Sequence, residues 1–223
     1  MMGRKATEEK TGPSAARRRF LDAARREFAE KGYAGASIRS ITGSLHMRES
    51  AFYAHFRSKQ EAYDVLFRQA GPAVISSLAA GINLAMPMEK ELARLAERAM
   101  EMWTSDEARA STSILLREAF GNDRQKRRQM LNGVSAALDT LQTKLDFWQT
   151  AGRIRRELDV RTLAFEYVAP LITSRLLFYG AGSSAPERLR GRLMVRRHVS
   201  TFLRLISVPK PASIANAKSP SNK

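Results

Sequence analysis

Apolar side chains along this chain recur at helical spacing, and in no window do β-branched residues alternate convincingly with polar ones. That pattern excludes a sheet-based fold and predicts an all-α protein. The stripe is plainest near the start. Phe20, Ala24 and Phe28 fall four apart with Leu21 beside them, while Arg17, Arg18, Arg25, Arg26 and Glu30 lie largely around the rest. A first helix is expected from about Ser14 to Lys31, closed by Gly32, because glycine best tolerates a left-handed helix end. Ser37 can cap a short second helix from Ile38 to about Leu45. A turn near His46 and Met47 leads to a third, from about Arg48 to His55, with Ala51, Phe52 and Phe56 facing inward. Ser58-Lys59-Gln60-Glu61 reads as a capping box that opens a fourth helix carrying Tyr63, Leu66 and Phe67.

Beyond Gly71-Pro72 the periodicity predicts a helical bundle with helices near 73–84, 88–104, 106–120, 124–151, 160–179 and 186–206. Gly121-Asn122-Asp123 and Gly180 to Ser184 break it, and Pro170 is expected to kink the helix that holds it. The expected organisation is a flexible arm over 1–13, a small N-terminal domain over 14–60, a bundle over 61–206 and a disordered tail over 207–223, where Pro209, Pro211 and Pro220 sit among Ser, Asn and Lys.

Composition narrows the function. Cysteine is absent, which excludes disulfide scaffolds, thiolate metal sites and a cysteine nucleophile. His46, His55 and His198 are far apart and have no carboxylate at ligand spacing, so neither a zinc site nor any other metal or cofactor is expected. No nucleophile–base pairing or glycine-rich phosphate loop is visible, so no enzyme is expected. No apolar run of 18 residues and no secretory leader is found, so cytoplasmic residence is expected. The formal net charge of +16 points to a polyanionic partner. Residues 1–60 hold thirteen Lys and Arg against six Asp and Glu, a net +7, and the remaining +9 lies in the bundle and tail. Arg124 to Arg128, Arg153 to Arg156 and the six arginines from Arg188 to Arg204 form basic clusters there. They read as a solvated basic face, an anionic ligand site, or a contact with DNA or protein.

Two short helices joined by a tight turn after a longer amphipathic one form the pattern of a helix-turn-helix DNA reader. The third helix would enter the major groove, and Arg39, Arg48, Arg57 and Lys59 would supply phosphate contacts. In this segment the run from Phe28 through Gly32-Tyr33 and Ser37-Ile38 to Ile41 is followed by Phe52-Tyr53-Ala54-His55-Phe56-Arg57-Ser58-Lys59. It resembles the N-terminal domain of tetracycline-repressor-type (TetR family) regulators, over roughly residues 14–67. The resemblance implies that Tyr53 and Lys59 contact DNA phosphates, that Ser37 and Arg39 lie at a second backbone contact, and that Arg48, Glu49, Ser50 and Ala51 fall where the family reads bases. Arg17 and His55 complete the candidate DNA face. Where this chain has His46 and Ser50 the family usually has glycine, where it has Arg48 a serine, and where it has Glu49 often a basic residue. Arg48 can reach guanine N7 and O6, worth about 1–3 kcal/mol of discrimination. Glu49 would be repelled by phosphate unless it accepts from a cytosine amino group or pairs with an arginine.

The resemblance further implies a homodimer, joined through the helices near 160–179 and 186–206, acting on a palindromic operator as a ligand-released repressor. Its effector would be a small hydrophobic or amphipathic molecule held in the bundle. Met100, Trp103, Leu115, Phe120, Trp148, Phe165 and Tyr167 are candidate lining residues, although core packing alone gives the same composition. The fourth helix, bridging both domains, would be the lever of release. The alternative is a nonspecific or degenerate DNA-binding or protein-interaction module without an operator of its own.

Overall fold

The structure is a computed structural model that describes residues 15–70, 73–119 and 121–209. The expected arm (1–13) lies outside the described residues, as does the tail beyond 209. Among the described residues there are ten helices and no strand.

Helix α1 (Ala15–Gly35) is broken at Gly32, whose φ of 72° and ψ of 176° end the main run after Lys31. Only glycine adopts that geometry without a steric penalty. Helix α2 (Ile38–Gly43) starts at Ser37, whose side chain accepts from the Ser40 amide while the Ser40 side chain accepts from the Ser37 amide. Helix α3 (Glu49–Tyr53) starts at Arg48, which makes no side-chain cap. The turn between them places His46 at a φ of 55°, the left-handed region. Helix α4 (Lys59–Ala70) is capped by Ser58, which accepts from the Glu61 amide at 3.1 Å. Glu61 reaches back as expected, but one residue further, to the Arg57 amide at 2.7 Å.

The first apolar core joins α1 to α4 around Phe20, Phe28, Ile41, Phe52, Phe56, Tyr63 and Leu66, all essentially inaccessible to solvent. It extends past residue 60, because Ala62, Tyr63, Leu66, Phe67 and Ala70 of α4 belong to it. It also recruits Ile114 and Leu115 from α7 (Asp106–Ala119).

The second core is the bundle of α5 (Ala73–Ala80), α6 (Met88–Met102), α8 (Arg124–Thr150), α9 (Val160–Phe178) and α10 (Ala185–Ile206). Asp123 opens α8 by accepting from the Gln125 and Lys126 amides, Asp159 opens α9 by accepting from the Thr162 amide, and Ser184 and Glu187 form a capping box on α10. Helix α9 runs through Pro170 to Phe178, which leaves the Glu166 carbonyl without its helical donor. Gly191 lets α10 approach α9: a Cβ there would lie 2.7 Å from Cβ of Phe178. The start of the expected tail is in fact tied down. Ser207 bridges to Ile154, and the Val208 amide donates to the Arg153 carbonyl at 3.1 Å.

Candidate nucleic-acid interface

A five-residue helix has too few internal hydrogen bonds to persist alone, so α3 must be held by what it buries. Phe52 provides that anchor, with Phe20 edge-on to it at 5.8 Å between ring centres and Phe56 at 5.2 Å. Arg17 stacks over Phe56 at 4.6 Å, and His55 sits half-buried against Phe20 at 5.6 Å. These two candidates therefore brace the rear of the reader. The opposite face of α3 is open. Arg48, Glu49, Ser50 and Tyr53 are exposed, Tyr53 at 55%, and Ala51 is half-buried against the core. Ser37 and Arg39 are also exposed, at the start of α2.

Lys59 departs from the expectation. Its ammonium donates to the carbonyls of Tyr33 at 2.7 Å and Ala36 at 2.8 Å, and lies 4.3 Å from the Tyr33 ring centre. It is turned into the domain and clamps the α1–α2 connection. Those carbonyls have lost their helical donors beyond the Gly32 break, and a cation on the spot is the strongest substitute available.

Behind the reader lies a joint that the sequence did not disclose. The Tyr63 phenol donates to Glu118 of α7, and Lys126 of α8 sits 3.6 Å from the same carboxylate and 4.0 Å from the Tyr63 ring centre. Burial and the Glu118 carboxylate push the Tyr63 phenol well above its ordinary range. Arg117 reaches toward the Ala29 and Glu30 carbonyls at the end of the main run of α1. The basic cluster from Arg124 to Arg128 is thus partly structural: Lys126 is buried, and Arg127 donates to the Gly121 carbonyl at 2.9 Å.

The expected effector residues are only partly brought together. Met100, Trp103, Trp148 and Tyr167 are buried core residues. Tyr167 is held by a hydrogen bond to the Leu92 carbonyl. Phe165 is 54% exposed, because its position on α9 turns it away from the bundle core, and Phe120 lies outside the described residues. Leu115 does line a cavity of about 100 Å³ between α5, α7, α8 and α9, with Ile75, Met130, Val134, Leu176 and Arg175 around it. Arg175, missed from the sequence because it reads as one more arginine among many, is only 6% exposed. Its Nε donates to Thr112 of α7 at 3.2 Å, and its guanidinium lies 5.6 Å from the Trp103 ring centre. Burial pushes it down to about 10, so it stays charged at neutral pH.

An exposed polar α3 on a rigid aromatic core, joined to a helical bundle, is the arrangement of a helix-turn-helix domain. Residues 20–64 match the sequence model of the family described as bacterial regulatory proteins, tetR family. A curated relative, the HTH-type transcriptional repressor Rv1474c of Mycobacterium tuberculosis, is 41% identical over 56 residues. That stretch is 25% of this chain and 30% of the relative, so the chain spans less than a third of the length of the curated relative it matches. Solved structures extend the likeness in fold to the bundle. A tetR-family regulator from Rhodococcus RHA1 superposes with a TM-score of 0.66 at 20% identity, over 88% of this chain and 100% of the other. The protein of the SmeT–triclosan complex gives 0.68 at 19% identity, over 91% and 98%. Residues 20–64 thus carry the sequence pattern of the tetR family's regulatory proteins, and the remainder of the chain shares their fold. Among the described residues no helix is long and apolar enough to cross a membrane, and no group of three metal-ligating side chains occurs.

Proposed function

We propose that this protein is a cytoplasmic transcriptional repressor that binds a palindromic operator as a homodimer and leaves it when a small molecule occupies the bundle. The exposure of Tyr53 beside fully buried Phe52 and Phe56 carries the DNA-binding part of the reading. It turns one face of α3 outward, where Arg48, Glu49 and Ser50 meet base edges and Tyr53 a phosphate. Lys59 acts by holding the α1–α2 connection.

The dimer reading is supported by apolar side chains on α9 and α10 that no other described residue covers. Leu177 is 67% exposed, and Leu189, Leu193 and Met194 are similarly open, beside a groove that includes Pro170 and Thr173. Twofold pairing there would place two recognition helices on successive major grooves, about 34–36 Å apart. The effector part is supported by the cavity beside Leu115, and by the likeness in fold to SmeT, which was solved as a complex with triclosan. An effector that binds better when the two α3 helices are wrongly spaced would shift the population off DNA, by no more than its differential affinity.

Genome-fragment selection with the full chain at about 0.15 M salt, the physiological ionic strength, tests the reading. One enriched palindrome is expected. Tyr53→Ala and Arg48→Ala should each weaken binding to it about tenfold with no change in melting temperature, as loss of one charge-assisted or bidentate contact implies. Binding to any duplex without enrichment, falling steeply with salt, would replace a specific operator with a nonspecific DNA-binding role, with Glu49 on the reading face as the physical reason.

A further inference from the structure

Arg175 is held by Thr112 and the Trp103 ring but has no counter-charge among the described residues. A guanidinium carries five N–H donors, and Thr112 takes one of them. Among the described residues no carboxylate lies within ion-pair distance of it. A buried cation without a counter-charge is among the costliest groups a core can hold. It also lines the cavity walled by Ile75, Leu115, Met130 and Leu176, which otherwise presents almost only carbon.

We propose that this cavity is a binding site for a monocarboxylate with a short apolar body, with Arg175 as its anchor. The inference rests on the reading that the bundle holds an effector, and gives that effector a chemistry. One fixed positive charge calls for one negative charge, since a phosphate dianion would bring a second into an apolar cavity. The planar fork of the guanidinium matches a carboxylate in two parallel hydrogen bonds. The apolar walls take the carbon chain. The volume, about 100 Å³, is below the roughly 150 Å³ that holds a benzene, so butyrate, with as many heavy atoms as benzene, already requires Met130 or Leu176 to yield, and hexanoate requires more. Occupancy is felt at the DNA reader through α7, because Thr112 holds Arg175, Leu115 lies in both the cavity wall and the N-terminal core, and Glu118 holds Tyr63.

The test uses the full chain with butyrate and hexanoate as probes, set against 1-butanol, 1-hexanol, butylamine and inorganic phosphate, by calorimetry and thermal shift. The acids are expected to bind and raise the melting temperature. The alcohols should bind at least about tenfold more weakly, and the amine and phosphate not at all, as the loss of a charge-assisted pair implies. Arg175→Met, which replaces the cation by a chain of similar length, should weaken acid binding by about 10- to 100-fold. If that variant does not fold, Arg175→Lys serves, keeping the charge but losing the fork, with a smaller loss expected. Equal binding of acids and alcohols, acid binding unchanged in the Arg175 variant, or no binding of any probe would overturn the proposal. Operator affinity, measured alongside, separates the two readings. Acid binding through Arg175 with no change in operator affinity would remove the effector role and leave the site. Operator release by another compound, with none of the acids bound, would remove the site and leave the effector role.

Discussion

At the scale of single residues, two backbone positions decide how the DNA reader is built. Gly32 breaks α1 at a positive φ, and a Cβ there would also lie 3.0 Å from the Arg117 guanidinium. Gly32→Ala should therefore lower stability by about 1–2 kcal/mol, the cost of a left-handed non-glycine residue, readable as a shift in urea midpoint without a change in slope. His46 already bears such a conformation. His46→Gly should be neutral or stabilising by less than about 1 kcal/mol, since relief of strain is offset by the freedom glycine adds to the unfolded chain. A clear loss of stability would mean that the imidazole makes a contact worth more than the strain. Both positions were legible in the sequence: the glycine as a helix terminator, and the histidine as a departure from the family's glycine. The contacts Lys59 makes within the domain were not legible. A lysine at a helix start reads as an anion contact, and only the fold shows that two orphaned carbonyls lie within its reach.

Among the elements, α9 and α10 carry the next consequences. Their crossing depends on Gly191, so Gly191→Ala, which forces Cβ against Phe178, should cost about 1–3 kcal/mol by overpacking and disturb the outer face of both helices together. Loss of the proposed dimer in step with melting temperature is the outcome expected. His198, half-buried on α10 beside Tyr167 and Phe202, adds a pH dependence. Burial holds its imidazole below the ordinary 6.5, against the pull of the Tyr167 and Glu166 main chain and the Glu166 carboxylate. The unfolded chain then binds the proton more readily than the folded one. This contribution to stability is present above about pH 6.5 and lost as the pH falls through the lower, folded value. Melting temperature should fall between pH 7 and pH 5, and His198→Gln should flatten that part of the profile. The carboxylates of Glu27, Asp159 and Glu187 are held low by their hydrogen bonds, so their contribution is lost only at more acid pH. Helix positions were legible because the caps are local: Ser37, Asp123, Asp159 and Ser184 each announce a start. Which helical faces meet was not, since periodicity marks an apolar stripe without saying what covers it. That is why Phe165, on α9, reads as a lining residue in the sequence and is open to solvent in the fold.

For the molecule as a whole, the lever expected from the sequence was α4, which runs out of the DNA reader toward the bundle. Helix α7 does more of the joining. Along one side it presents Thr112 to Arg175, Leu115 to both the cavity and the N-terminal core, and Glu118 to Tyr63. No sequence signal marks this, because α7 is separated from α1 and α4 by α5 and α6, and a Tyr–Glu–Lys contact between distant segments leaves no spacing to read. Glu118→Gln, which keeps the shape and removes the charge facing Lys126, should weaken the response of operator affinity to effector while leaving operator affinity itself within a factor of a few. Titration of DNA release in that variant measures it. An unchanged response would place the coupling elsewhere, on α4. The same arrangement bears on how such regulators can be recombined. Residues 15–70 read as a module, yet Ile114 and Leu115 fill part of their core from outside. A chimera that carries only those residues onto a foreign bundle would arrive with a hole in its interior, and the transplant has to bring α7 with it to be whole.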